Sequence, residues 1–258
     1  MFLNRKDRNV YLFDIDGTLM KDGVIPDSAK EVIKEIREEG DLVMLSTGRC
    51  KSMLQDVLSQ IEVDGAIQNN GAYAYIGKEV LFESQISPEV IHQIDNDGLN
   101  LSVLSKDRYV RFQNTNKAFK KFAEGMKIIE PKKGDRAMID NDKIYSLSIV
   151  DMNLDSIDIK KYPSLRFIRV SDLGYDIVNK GVSKSSCYDI IRKKYPGGRI
   201  IAFGDNVNDI EMLDEADIAI CMPTAPESVR KVSSFVTRDV LADGIEFAVY
   251  NFVKRVLD

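Results

Sequence analysis

The 258-residue chain has one histidine, three cysteines and an excess of acidic over basic residues. Each scarcity narrows the chemistry. A Ser-His-Asp triad or a histidine-built metal site would have to use His92. That residue sits in Pro88–Ile94, whose apolar spacing reads as an amphipathic helix with His92 facing solvent. Acid–base work near neutral pH therefore falls on carboxylates. Cys50, Cys187 and Cys221 are odd in number and lack CxxC spacing, which fits reduced thiols in a cytoplasmic protein. No apolar run reaches the roughly 18 residues that a membrane span requires. Met1 to Asn9 hold no apolar segment of the kind a secretory signal carries. With 36 Lys and Arg against 41 Asp and Glu, the net charge is −5. Nothing in that balance favours nucleic acid or an anionic membrane as partner.

What the chain does have is an ordinary globular composition, 44% hydrophobic and 30% charged. Its length suits one large domain or two smaller ones. One stretch organises the rest: Val10-Tyr11-Leu12-Phe13, then Asp14-Ile15-Asp16-Gly17-Thr18. The first four residues read as a buried strand, and Asp14 emerges at its carboxyl end. In an open parallel sheet, ligands bind just beyond those ends. Two carboxylates one residue apart, followed by a glycine that permits a sharp turn, suit Mg²⁺ and a phosphate.

Further along, a helix is expected over Ala29–Glu39, capped by Asp27 or Ser28 and ended by Gly40. Leu42–Leu45 reads as a second buried strand running into Ser46-Thr47-Gly48-Arg49, with a helix from Cys50 to Leu58. A hydroxyl at a strand end, then a glycine opening a helix, makes a cradle for an anion. Asp64–Gln68 gives a third strand, Asn69-Asn70-Gly71 a turn, and Tyr73–Tyr75 with Glu79–Phe82 a hairpin. Arg199–Phe203 and Ile218–Met222 are later buried strands. Between them lies Gly204-Asp205-Asn206-Val207-Asn208-Asp209. Carboxylates crowded at strand ends are costly unless a cation sits among them. Strand–helix–strand units of this kind imply a parallel sheet.

These motifs, in this order, resemble those of the haloacid dehalogenase superfamily, most of whose members are phosphatases. Asp14–Thr18 is similar to its first motif, Thr47-Gly48-Arg49 to the second as found in the Cof-like branch (subfamily IIB), Lys184 to the third and Gly204–Asp209 to the fourth. The resemblance implies Asp14 as nucleophile and Asp16 as general acid and base. It implies Mg²⁺ held by Asp14, Asp205 and the Asp16 carbonyl. Phosphate would be bound by Ile15, Thr47, Gly48, Lys184 and Asn208, with Asp209 orienting Lys184 or a metal-bound water. Asn70-Gly71-Ala72 is similar to a Cof-like element at this position, although a plain turn is an equally good reading, and Arg49 receives no role. Two departures stand out. Ser185 replaces a frequent glycine after the lysine, and Pro223-Thr224-Ala225 replaces Gly-Asn-Ala. The second removes a side-chain amide from the site, unless Thr224 substitutes for it.

From about Ser84 to Lys180 the pattern changes. Helical segments (Pro88–Asp95, Asn116–Glu124) alternate with strand-like runs (101–104, 109–113, 143–150, 166–170, 175–178), and Lys132–Asp135 reads as a loop. Consecutive strands without intervening helices suggest an antiparallel α+β unit. It resembles the second-type cap of the Cof-like branch. After it, Ser183 is placed to cap a helix running through Tyr195, with Ile190 and Ile191 inward. Asp243-Gly244 opens a last helix, Ile245–Val256. The expected fold is a doubly wound, Rossmann-like α/β core, residues 1–83 and 181–258, with an inserted α+β cap, residues 84–180. The expected function is Mg²⁺-dependent hydrolysis of small phosphorylated metabolites, sugar phosphates first, through an aspartyl-phosphate. A phosphomutase or a non-catalytic sugar-phosphate sensor are the alternatives. The cap would choose the substrate, and Lys106, Arg108 and Arg111 are among its polar residues.

Overall fold

The computed structural model of the chain describes residues 7–113, 117–126 and 130–257. Residues 1–6 and Asp258 of the expected core, and Asn116 of an expected helix, lie outside the described residues.

Apolar runs without alternation make strands buried on both faces. Val10–Phe13 (β1), Leu42–Ser46 (β2) and Gly65–Gln68 (β3) are such strands, with every residue buried. Tyr73–Ile76 (β4) and Glu79–Glu83 (β5) pair as an antiparallel hairpin. Six further strands follow: Leu101–Leu104 (β6), Tyr109–Arg111 (β7), Lys132–Lys133 (β8), Ser146–Val150 (β9), Leu165–Arg169 (β10) and Gly174–Asn179 (β11). Ile200–Gly204 (β12), Ile218–Cys221 (β13) and Phe235–Val236 (β14) complete the set among the described residues.

Two sheets result. The first has the order β14-β13-β12-β1-β2-β3-β4-β5 and is parallel from β14 to β3. The second has the order β10-β11-β9-β6-β7-β8 and is antiparallel except at β7–β8. This is the α/β core with an α+β insertion. In the core sheet the winding reverses at β1, which lies between β2 and β12. Phe13 pairs with Phe203 on one side and Leu45 on the other. The residues that follow these strands, Asp14, Asp205 and Thr47, therefore leave the sheet side by side at the reversal, where such sheets bind ligands.

Both faces of the core sheet are covered. Tyr11 and Phe13 pack with Ala29, Val32, Ile33 and Ile36 of the Asp27–Glu38 helix, and with Ile245 and Ala248 near the C-terminus. Val10 and Leu12 face the opposite layer, with Tyr188, Ile191, Met212 and Leu213. In the cap, strands alternate. Leu101, Val103, Leu147, Ile149 and Ile177 pack under Ile91, Ile94, Met138 and Ile139 of two helices. On the other face, Ser102, Ser148 and Asp176 are direct neighbours across β6, β9 and β11.

Several expectations are corrected. Lys132–Lys133 is not loop but a two-residue edge strand parallel to β7. The helix expected from Cys50 to Leu58 is a 3₁₀ turn, Lys51–Met53, and one short helix, Gln55–Leu58. Tertiary bonds override the local pattern there: the Lys51 amide donates to the Lys106 carbonyl in the cap, and Arg49 donates to the Met53 carbonyl. Ser183 does not cap a helix. Residues 184–187 form turns closed by three-residue bonds, and the helix spans Tyr188–Lys194, with Ile190 only half-buried. Neither Asp27 nor Ser28 caps the first helix; Pro26 precedes it, and the Ser28 hydroxyl donates to Asp243. The last helix begins at Gly244 and contains a π-helical turn at Val249–Val253.

The chain passes between the sheets twice, after β5 and after β11, and the two passages are tied together. The Asn179 amide donates to the Ser84 hydroxyl at 3.0 Å and to the Gln85 carbonyl at 2.7 Å. Beside them, the turn Asn69–Gly71 packs against the segment that leads to Lys184. A Cβ on Gly71, at φ +99°, would lie 1.7 Å from the Ser183 carbonyl oxygen. Gly77 also has positive φ, +56°, but nothing within 4 Å of such a Cβ. Gly77→Ala should therefore cost about 1–2 kcal/mol of left-handed backbone strain alone. Gly71→Ala should exceed it by at least ~2 kcal/mol, because backbone must move. Urea unfolding of the two variants checks this; equal losses would refute the contact.

Candidate active site

Strand ends bring the acidic side chains together. Asp14 follows β1, and its carboxylate is nearly buried. Lys184 arrives on the return from the cap and is 1% exposed, which no unpaired ammonium tolerates. Its Nζ donates to Asp14 Oδ1 at 2.6 Å and to Asp209 Oδ1 at 2.6 Å. Asp209 is fully buried, and its other oxygen accepts from the Asp205 and Asn206 amides, each at 3.0 Å. Asp205 follows β12, and its Oδ1 accepts from the Thr18 hydroxyl at 3.1 Å. A Cβ on Gly17 would meet Asp205 Oδ2 at 2.6 Å, so the glycine lets the first loop close over this carboxylate.

Carboxylate oxygens of Asp14, Asp205 and Asp209 lie within 4.8 Å of one another. One lysine cannot neutralise three such groups. Burial, together with the Asp209 and Asp205 charges, pushes the Asp14 carboxyl well above the usual range against the pull of Lys184. Burial and then the Asp209 charge push Asp205 up to about 6. Burial works against the Lys184 ammonium, but Asp14 and Asp209 raise it above its ordinary value, so it stays charged. The cluster thus carries excess negative charge and attracts a cation.

The sequence places the Asp16 carboxylate beside those of Asp14 and Asp205 in one crowded acidic site, but its side chain is elsewhere. It is half exposed, and Arg49 grips it, with Nη2 to Oδ1 at 2.6 Å and Nε to Oδ2 at 3.0 Å. Only the Asp16 main chain remains as a ligand for an ion beside Asp14. The physical reason is Arg49, left without a role by the sequence. It is 12% exposed and also binds Asp56 at 3.0 Å. The Ile15 side chain is buried in the core, leaving only its main chain for an anion.

A cavity of about 160 Å³ opens over the cluster. The core lines it with Asp14, Asp16, Thr47, Gly48, Asp205 and Asn208 among others. The cap contributes Leu104, Tyr109, Phe122 and Ile168, with Ser148, Arg169 and Asp176 as polar members. Thr224 is exposed and does not line it. The loop that carries it is fixed instead by Arg230, which donates to the Pro223 and Ala225 carbonyls. Lys106, Arg108 and Arg111 are likewise absent from the lining.

The motifs do not reveal Asp176, and they leave Asn70 between a Cof-like element and a plain turn, with no site role. Asn70 sits in the left-handed region, φ 52°, and its Nδ2 donates to Asp176 Oδ2 at 2.8 Å. Asn208 Nδ2 donates to Asn70 Oδ1 at 3.2 Å. Two signals were present: an Asn-Gly turn at a strand end, and a charged residue inside a run, Tyr175–Val178, that otherwise reads as buried strand.

Comparison with known proteins agrees with this geometry. Residues 11–249 match the haloacid dehalogenase-like hydrolase family, and the chain belongs to it. Within that class it is a phosphatase of the Cof-like kind. A HAD subclass IIB sugar phosphatase, BT4131, superposes with a TM-score of 0.82 at 26% identity, covering 95% of this chain and 99% of that one. A protein of Geobacillus kaustophilus HTA426 superposes with a TM-score of 0.85 at 26% identity and the same coverage. The 5-amino-6-(5-phospho-D-ribitylamino)uracil phosphatase YcsE of Bacillus subtilis (strain 168) is 24% identical over 261 residues, 98% of this chain and 100% of that one. No helix among the described residues is long and apolar enough to cross a membrane.

Burial pushes the Asp176 carboxyl from its ordinary 3.8 up to about 6, against the Asn70 hydrogen bond and the Lys184 charge. The folded state therefore holds this proton more tightly than the unfolded chain does. Its contribution is fully present below about pH 4 and is lost as pH rises to about 6. Asp176→Asn should flatten that segment of the stability curve and raise neutral-pH stability by about 1–3 kcal/mol. Chemical denaturation at pH 4 and pH 7 measures it; an unchanged difference between the two would refute the assignment.

Proposed function

We propose that this phosphatase hydrolyses small phosphomonoesters through an aspartyl-phosphate on Asp14, with Mg²⁺ as cofactor. The observation that carries the reading is the buried Lys184 bridging Asp14 and Asp209 beside Asp205, with Asp14 and Asp205 lining a cavity that cap residues also line.

An all-oxygen, acidic donor set suits a hard cation such as Mg²⁺. Asp209 is committed to Lys184 and two amides, so Asp14, Asp205 and the Asp16 carbonyl would hold the ion. When bound, it neutralises charge on the phosphoryl oxygens. The chain's own groups do the rest. An Asp14 oxygen attacks phosphorus in line while the ester oxygen departs with a proton from Asp16. Water, deprotonated by Asp16, then displaces Asp14 and releases phosphate. Lys184, the Thr47 hydroxyl, the Ile15 and Gly48 main chain and Asn208 hold the phosphoryl oxygens, where positioning and charge dominate phosphoryl transfer. Arg49 keeps Asp16 at the cavity lip until substrate arrives.

Sugar phosphates are the leading substrates. Ser148 offers a hydrogen bond to a hydroxyl, and the BT4131 neighbour is a sugar phosphatase. Tyr109 and Phe122 favour a second reading, a phosphorylated sugar alcohol attached to a ring, as in the substrate named for YcsE. Residues 84–180 would form the specificity cap and the rest the catalytic core.

Phosphate release over a metabolite panel with Mg²⁺ tests the reading. Asp14→Asn should lower kcat by at least ~10³-fold, the loss of a nucleophile that no neighbour replaces. In the same protein without Asp14, Mg²⁺ should no longer raise the melting temperature as it does in the parent. Near-normal turnover of Asp14→Asn in EDTA would overturn the mechanism.

Asp16→Asn separates chemistry from binding. Proton transfer acts in the transition state, so kcat should fall by about 10²–10⁴-fold with KM little changed. A variant with only a raised KM would remove Asp16 from the acid–base role.

A further inference from the structure

We infer that Asp176, on the cap, is a positioning residue that acts on the phosphate through Asn70 and Asn208, so that cap seating sets the phosphate site in the core. The inference rests on the hydrolase reading above and extends it.

The argument begins with hydrogen-bond polarity. An ionised carboxylate only accepts, whereas an amide side chain has one accepting and one donating end. Asp176 Oδ2 lies 2.8 Å from Asn70, so that amide must present its Nδ2. Its Oδ1 is then left pointing the other way, 3.2 Å from Asn208. Asn208 in turn must present Nδ2–H to Asn70, and that same group keeps a second N–H. Asn208 lines the cavity with Asp14 and Thr47, so the second N–H is available to a phosphoryl oxygen. A single acceptor in the cap thereby fixes the orientation of two amides in the core.

The surroundings leave little freedom for another arrangement. Asn70 is held in the left-handed region, and its main-chain N–H donates to the Thr47 carbonyl at 3.0 Å. Gly48 sits against both partners. A Cβ there would be 3.0 Å from Asn70 Nδ2 and 3.0 Å from Asp176 Oδ2. The link therefore threads the phosphate cradle, and a side chain at Gly48 would press on both of its ends. Three parts of the chain meet in it: β11 of the cap, the loop after β3, and the loop after β12. β11 is also the strand that leads directly back to Lys184. If the cap lifts, Asp176 leaves Asn70, and the Asn208 amide is free to turn its oxygen toward the phosphate. Lys184 stays in place, because its partners, Asp14 and Asp209, belong to the core.

A contact with the leaving group would predict something different. Such a contact affects only substrates that carry the contacted group. A relay through Asn208 affects every phosphoryl ligand, inorganic phosphate included.

The test is a double-mutant cycle on the full chain with Mg²⁺. Asp176→Ala, Asn208→Ala and the double variant are compared. The readouts are inorganic phosphate affinity and kcat/KM for p-nitrophenyl phosphate, which has no sugar hydroxyls. Each single change should weaken both readouts about tenfold, the loss of one hydrogen bond to a charged group. The double variant should be no worse than Asn208→Ala, since Asp176 acts only through it. Asp176→Asn keeps an acceptor and the shape, and should recover part of the loss, which also covers the case of an unfolded Asp176→Ala. Effects that multiply to about a hundredfold would overturn the relay. So would a defect confined to sugar phosphates. A parent protein that neither binds phosphate nor hydrolyses the ester would overturn the hydrolase reading and the relay with it. The first two results, in an active parent, overturn the relay alone.

Discussion

Lys184 between two aspartates is the interaction on which the rest of the site depends. A fully buried ammonium is tolerated only with its charge answered and its protons bonded. Asp14 and Asp209 do both, at 2.6 Å each. The converse also holds. The sheet reversal brings Asp14 and Asp205 out of adjacent strands, and Asp209 folds back beneath them through its bonds to the Asp205 and Asn206 amides. Without an internal cation that crowding would be relieved only by protonation or by moving apart. Lys184 supplies part of the positive charge, and the remainder is left for an ion and for the approach of phosphate.

The cap is joined to this arrangement more closely than an inserted unit needs to be. The Lys51 amide bonds to the Lys106 carbonyl, Arg166 pairs with Glu211 at 2.6 Å, and Tyr73 packs on Tyr145 at 5.1 Å between ring centres. Most of these contacts lie around the rim. Asp176 is different, because its carboxylate reaches Asn70 at the cradle and carries the cost of burial without a cation of its own. A group that costs stability where it stands, and aims at a functional loop, is the kind of strain that active sites retain. The alternation of the cap strands explains how it comes to be there. Residues that face helices are aliphatic, and the opposite face carries Ser102, Ser148 and Asp176, the last two of which line the cavity.

Sequence and structure part company at particular residues. The strands were legible because buried parallel strands read as unbroken apolar runs, as in Val10–Phe13 and Ile200–Phe203. Asp14, Asp205 and Lys184 were legible because they close those strands or follow motif order. Short helices were not. Cys50–Leu58 has helical spacing, yet Arg49 and the cap claim its polar groups, and two brief turns result. Lys184 is reached through turns rather than a capped helix because Gly71 leaves room for the Ser183 carbonyl and nothing larger. Arg49 and Asp16 are 33 positions apart, and nothing local to either shows that they pair.

What the sequence by itself determined is the part governed by short-range chemistry. Apolar runs specify strands, their spacing specifies parallel winding, and carboxylates at the ends of those runs specify where an acidic site will form. What only the tertiary structure decided is which charged groups share a partner. Asp209 joins the buried cluster while the Asp16 side chain is drawn to its rim, and a cap carboxylate sets the amide of a core asparagine. Those outcomes depend on separations of a few ångströms between distant segments; Lys184 and Asp14, for example, are 170 positions apart. Such distances are fixed by sheet register and by glycine-sized gaps rather than by any pattern within one segment.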